Sequence, residues 1–130
     1  GRIQLKRMYK WHKNRIKYAN QIWSAAASCS SLRVPKLPDY IEHAAYKCYV
    51  FSKKNERSKL LNEFISSGIP CSEGACPEVY LEKAFENSGF RPSNRLPNSK
   101  LLGETSLSFL CHPTLTQEEV NLTCDKIKIL

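Results

Sequence analysis

A few side chains in this sequence could meet a small ligand. Lys47 lies in an aromatic and β-branched run, YKCYVFS, over residues 46–52. From a strand it would reach the phosphate or carboxylate of a bound molecule, or it would lie solvated with its stem packed on the sheet. Glu73, Glu78 and Tyr80 flank the short segment GACP, where Gly74 permits a close backbone approach. The same residues also suit a plain surface loop. Arg91 and Arg95, in SGFRPSNR, carry the planar guanidinium that matches a diphosphate, or else are ordinary surface arginines. His112 precedes Pro113 at the end of an apolar run and reads as a corner residue with a backbone hydrogen bond. His12 and His43 show no partner in the sequence and read as surface residues.

The cysteines are Cys29, Cys48, Cys71, Cys76, Cys111 and Cys124. Several sit in apolar or helical surroundings, which favours buried free thiols over a disulfide framework. Cys71 and Cys76 have no second pair and no nearby His, so no zinc site is expected. The net charge is +8 over 130 residues, and it is uneven. Arg2, Lys6, Arg7, Lys10, Lys13, Arg15 and Lys17 precede Tyr18 with no acid among them. Such a block could grip nucleic-acid phosphates. Trp11, Ile16, Ile22 and Trp23 on the same segment need burial, however, and no nucleic-acid-binding motif accompanies them. Packing on another domain or a dimer partner is the preferred reading, with no specific nucleic-acid partner. No apolar run is long enough to span a bilayer, so no membrane partner is expected.

These residues need elements to position them. Residues 1–27 read as one long helix, with apolar residues at helical spacing and no Gly or Pro. Residues 33–40, with Pro35 and Pro38, read as an extended connector. A strand is predicted over 46–52, a helix over 58–67 ended by Gly68, and a short strand over 69–71. A short helix is predicted over 79–86, a loop over 88–95, and a helix opening at Pro97 and running to Leu102. A strand over 107–110 and a last helix over 117–129 follow. Thr114 or Thr116 is the N-cap, and Glu118 and Glu119 lie in the first turn, where the helix dipole favours them. The fold class is therefore α/β, of the small α+β domain kind: a long N-terminal helix, then a short, mainly antiparallel sheet covered by helices. Asn121-Leu122-Thr123 fits a glycosylation sequon but falls inside the last helix and is discounted.

Three segments together resemble the C-terminal third of the DegT-type sugar aminotransferases, enzymes of the aspartate aminotransferase superfamily that use pyridoxal phosphate (PLP). The first is the opening helix GRIQLKRMYKWHKNRIKYANQIW, where the family has a helix beginning with an EIQAAIG-type phrase and running into Arg and Lys. The second is GIPCSEGACPEVYLEKAF, residues 68–85. The third is LPNSKLLGETSLSFLCHPTLTQEEV, with Pro97, Leu107-Ser108, His112-Pro113, Leu115-Thr116 and Glu118-Glu119 in the family's order. There are departures. Where many members carry His-Tyr-Pro and a further His, this chain has Gly74, Ala75, Cys76 and Tyr80, and a His-any-Tyr pair reads Lys47-Cys48-Tyr49.

The resemblance implies that residues 1–27 form an interdomain helix and 28–130 the small domain. The catalytic domain, with its Schiff-base Lys, would lie upstream of Gly1, and Gly1-Arg2-Ile3-Gln4 reads as a cut inside an element. It implies a parent enzyme, cytoplasmic and dimeric, that aminates a keto-sugar nucleotide from an amino-acid donor in polysaccharide or lipopolysaccharide synthesis. PLP would be held mainly by residues outside this chain, with none in the piece alone, which would be inactive. Lys47, Glu73, Gly74, Tyr80 and Arg91 would stand on the substrate side. A regulatory module that keeps only the fold, or a nucleic-acid binder using residues 2–17, are the alternatives.

Overall fold

A computed structural model describes residues 1–74 and 77–130 of the chain. Helix α1 (Arg2–Ala27) runs uninterrupted, as the absence of Gly and Pro predicts. Burial is confined to its second half, where Tyr18, Ala19, Ile22, Ala25 and Ala26 recur at helical spacing. The first ten residues are exposed throughout. Four strands follow, β1 (Leu32–Arg33), β2 (Cys48–Ser52), β3 (Cys71–Glu73) and β4 (Ser106–Phe109). They form one sheet in the order β1-β2-β4-β3 with every pairing antiparallel. Helices α2 (Arg57–Ser66), α3 (Pro97–Thr105) and α4 (Gln117–Ile129) complete the fold. The expected layout, a long helix and a short antiparallel sheet covered by helices, is the one observed.

Register decides which side chains meet. Cys48 lies opposite Phe109, and Val50 opposite Leu107, so all four share one face, and all four are buried. On that face they meet Ala19 and Ile22 from α1, Leu60 and Phe64 from α2, and Val120 and Ile127 from α4 in a single core. Phe64 and Phe109 pack edge to face, ring centroids 4.9 Å apart at 85°. Strand alternation places Tyr49, Phe51, Ser106 and Ser108 on the second face.

The helix ends follow local chemistry. After α2, Gly68 adopts φ 74°. The Ile69 N–H returns to the Phe64 carbonyl at 3.0 Å and the Gly68 N–H to Ile65 at 2.9 Å, a Schellman closure that buries Ile69. At α4, Thr116 is the N-cap. Its hydroxyl accepts the Glu119 N–H at 3.2 Å, while the Glu119 carboxylate accepts the Thr116 N–H at 2.8 Å.

Several boundaries differ from the sequence reading. Residues 32–33, outside any expected strand, pair with β2. The strand expected over 69–71 lies at Cys71–Glu73, because Ile69 is used by the helix closure. Helix α3 continues past Leu102 to Thr105, and β4 begins directly at Ser106. The helix expected over 79–86 is instead two 3₁₀ turns, Val79–Leu81 and Lys83–Phe85. Arg91 accounts for this. Its guanidinium donates to the carbonyls of Tyr80 (3.0 Å), Leu81 (2.8 Å) and Glu82 (3.3 Å), which an α-helix would use itself.

Gly103, inside α3, is explained by Pro77. A Cβ at Gly103 would lie 2.5 Å from the proline ring's Cγ. Helix propensity alone would favour alanine there; the close approach of Pro77 forbids it.

Because Phe64 is fully buried against Phe109, Phe64→Ala should lower the unfolding free energy by about 3–5 kcal/mol. A shift in the urea midpoint at unchanged slope would show it. A change under about 1 kcal/mol would contradict the packing described here.

Candidate functional site

The ends of β2, β3 and β4 that gather beside α1 frame a cleft of about 490 Å³. Its lining includes Arg15, Lys47, Cys71, Ser72, Ser108 and His112. Lys47 is exposed just before β2 rather than within it, and shares the parity of Tyr49 and Phe51. Arg15 is half-buried. It donates to the Tyr46 carbonyl at 3.4 Å, and its guanidinium lies 5.6 Å from the centroid of the Tyr46 ring. The sequence treated Arg15 only as one of a basic run. Its spacing of three, four and seven residues from the buried Tyr18, Ala19 and Ile22 is the signal that it faces the body of the domain.

His112 is a corner residue, as expected. Its Nδ1 accepts the Thr114 N–H at 3.4 Å and lies 2.7 Å from the Thr114 hydroxyl. His43 and His12 do have partners, which corrects the sequence reading. His43 Nδ1 accepts the Ala45 N–H at 2.9 Å, and its ring meets the edge of Trp23 at 5.7 Å. His12 lies 3.4 Å from Glu42.

The thiols are structural. Burial pushes Cys71 up to about 12 and also raises Cys48, Cys111 and Cys124. Cys111 donates to the Ala45 carbonyl at 3.1 Å. The five described cysteines are free, and among the described residues no group of His, Cys, Asp and Glu could hold a metal ion. Ala75 and Cys76 lie outside the described residues.

The other expected site residues separate into two groups. Glu73 shares the parity of Leu107, on the core side of the edge strand, and pairs with Arg57 of α2 at 3.1 Å. Arg57 also donates to the Gly103 carbonyl, tying α2, β3 and the end of α3 together. Sequence reading missed Arg57, for which no local motif exists. Gly74 makes the close approach its type allowed, but to the sheet: a Cβ there would lie 2.3 Å from the Ser106 hydroxyl and 3.3 Å from the Tyr49 ring.

Tyr80 and Arg91 belong to a stapled loop. The Tyr80 hydroxyl donates to Glu78 at 2.7 Å and accepts the Leu96 N–H at 3.0 Å. Arg95 binds the same carboxylate with two donors, at 2.7 and 2.5 Å. These hydrogen bonds hold the Glu78 carboxyl down at about 2, Arg95 first and Tyr80 second. Arg91, spent on three carbonyls, tightens the loop from inside. The structure thus brings Lys47 to the cleft, places Gly74 against the second face of the sheet, and leaves Tyr80 and Arg91 within the loop.

A PLP site needs an amine to hold the cofactor and an acid for its ring nitrogen. The described lining of the cleft offers cations and hydroxyls but no carboxylate, and the neighbouring Glu73 is taken by Arg57. The cations and hydroxyls of this lining are of the kind that suit an anionic group.

The model of the DegT/DnrJ/EryC1/StrS aminotransferase family matches residues 1–128. No curated protein matches in sequence. Among solved structures, an aminotransferase from Psychrobacter cryohalolentis is 44% identical, with a TM-score of 0.88 over 98% of this chain and 36% of its own. DesV of S. venezuelae is 19% identical at a TM-score of 0.85, over 98% of this chain and 34% of its own. Spr1654 of Streptococcus pneumoniae, solved in a PLP form, is 22% identical at 0.82, over 99% and 33%. The last two show likeness of fold. The chain spans about a third of the length of these structures.

The loop staple should be acid-sensitive in one direction. Glu78 is depressed from its ordinary 4.5 to about 2, so its contribution is complete above 4.5 and lost as pH falls through about 2. Hydrogen exchange should show the Leu96 amide protected at pH 5 and progressively less so toward pH 2, relative to amides of α4. Glu78→Gln should remove that extra pH dependence. An identical acid profile in the variant would refute the role given to Glu78.

Proposed function

Because the chain belongs to the DegT/DnrJ/EryC1/StrS aminotransferase family, we propose that it is the C-terminal small domain of a PLP-dependent sugar-nucleotide aminotransferase. The observation that carries this reading is 44% identity to an aminotransferase across 98% of the chain. The PLP form of a fold neighbour supports PLP as the cofactor of the longer enzyme. When bound, PLP supplies the electron sink that lets an amino group pass from an amino-acid donor to a keto sugar.

This chain's own work is binding and shaping. Lys47 offers a charge to an anionic part of the substrate. Gly74 brings the chain leaving β3 flat against the sheet, and Tyr80 and Arg91 hold the neighbouring loop as part of the substrate-side wall. Glu73 fixes the edge strand through Arg57. The exposed first half of α1 docks on the remainder of the enzyme or its dimer partner, which covers Ile3, Leu5, Met8 and Tyr9. The enzyme is cytoplasmic and serves polysaccharide or lipopolysaccharide synthesis, and the 130 residues alone are inactive. Among the described residues no helix is long and apolar enough to cross a membrane.

The test is borohydride reduction of the longer protein with PLP, followed by peptide mass spectrometry. The expected result is one covalent adduct on a Lys outside residues 1–130. A folded protein with no adduct would overturn the catalytic reading in favour of a module that keeps only the fold. An adduct on a lysine of this chain would overturn the division of labour.

A further inference from the structure

We propose that the outer face of α1 is a docking surface for an anionic lipid bilayer, met through a line of five cations, Arg2, Lys6, Lys10, Lys13 and Lys17. These residues stand four, four, three and four positions apart, and all five are exposed. At about 100° per residue they fall within about 80° of arc, and at about 1.5 Å per residue the line is about 22 Å long. The buried Tyr18, Ala19 and Ile22 lie on the opposite side of the helix, so the packing of its second half turns the line outward. Helix α1 contains no acid, and among the described residues none of the five enters an ion pair. Lys13 Nζ lies 4.4 Å from the Tyr9 ring centroid and Lys17 Nζ 5.7 Å from that of Tyr18, contacts that leave both charges in place. Arg15 falls off the line and is turned to the Tyr46 carbonyl.

Charge and shape together favour a flat, negative partner. Helix α1 is unbroken, so the five charges share one plane tangent to it, and a bilayer surface meets all of them at once. The phosphate strands of a nucleic-acid duplex curve away from a straight helix, unless that helix enters a groove with side chains that read bases. Along residues 2–17 the arc of the five cations holds no aromatic or amide side chain to read or stack on a base. Four of the five are lysines, compact mobile point charges that suit mobile headgroups. A basic lipid-binding surface holds about four to eight such charges, each raising partitioning about fivefold. The contact needs no spanning segment. By the same helical count Leu5 and Met8 lie on the side of Ala19, so docking on the rest of the enzyme and docking on lipid use different sides of α1.

The inference is independent of the aminotransferase reading and of any PLP adduct. Its test uses the longer protein, so that whatever the remainder covers on α1 stays covered. Sedimentation with phosphatidylcholine vesicles, with and without phosphatidylglycerol, should show binding to the anionic vesicles alone, weakening as salt is raised. Lys6→Gln with Lys10→Gln and Lys13→Gln should lower the partition coefficient about a hundredfold, at about fivefold per cation. Glutamine keeps the helix propensity of lysine, so the far-ultraviolet circular dichroism of this variant should be unchanged. Lys36→Gln with Lys53→Gln and Lys54→Gln removes the same net charge from exposed positions elsewhere, and should change binding by less than about fivefold. Absence of binding to anionic vesicles would overturn the proposal, and binding of a DNA duplex in its place would assign the line to nucleic acid. Equal losses in the two triple variants would overturn it too, since net charge alone would then account for the binding. So would binding that persists undiminished at high salt.

Discussion

The indole N–H of Trp23 donates to the Tyr49 carbonyl at 2.9 Å, and the arrangement of the domain follows from that contact. Strand β2 is paired with β4 along four of its five residues, but with β1 only at Phe51 and Ser52. Extending the β1 register places Pro35 opposite Tyr49, and proline has no N–H to offer. A carbonyl left bare in a half-buried strand costs free energy. Trp23 fills the gap from α1, so the helix completes the ladder of the central strand as well as covering its face. The same contact fixes the rotation of α1. With Trp23 over Tyr49, Tyr18 reaches the Leu115 carbonyl at 3.0 Å, Gln21 meets Gln117 at 3.1 Å, and Arg15 arrives at Tyr46.

The sheet then divides the labour between its faces. The core face is apolar and closed, and the Arg57–Glu73 pair lies at its edge. The second face carries Tyr49, Phe51, Ser106 and Ser108, with Arg33 stacked 4.2 Å from the Phe51 centroid. Strand alternation thus separates Glu73 from Lys47 and Ser72. A negative charge one residue from the cleft is kept from cancelling it.

Much of this was legible in the sequence where the determinants are local. Helix α4 was readable from a threonine N-cap, at 114 or 116, and its acids, α1 from unbroken apolar spacing, and the end of α2 from Gly68. What escaped was set by residues distant in sequence. Two residues before Pro35 are too short a run to announce β1, which exists because β2 offers an edge. Val79 to Glu86 has a helical pattern, but Arg91 takes its carbonyls. The orientation of Glu73 depends on a register that only β4 defines. Arg57 and Arg15 gain their roles from partners 46 and 31 residues away, Gly103 and Tyr46.

The contact between Pro77 and Gly103 constrains how this domain can change over generations. With the proline ring's Cγ 2.5 Å from where a Cβ would stand, any residue larger than glycine at 103 requires Pro77 to shift or to be replaced. Replacing Pro77 by something smaller first removes that conflict, and an alanine at 103 would in turn disfavour the return of proline. The two positions therefore form an ordered pair: the history of one sets which substitutions the other tolerates. Sequences carrying a bulky residue at both places should be absent from lineages that retain this loop path.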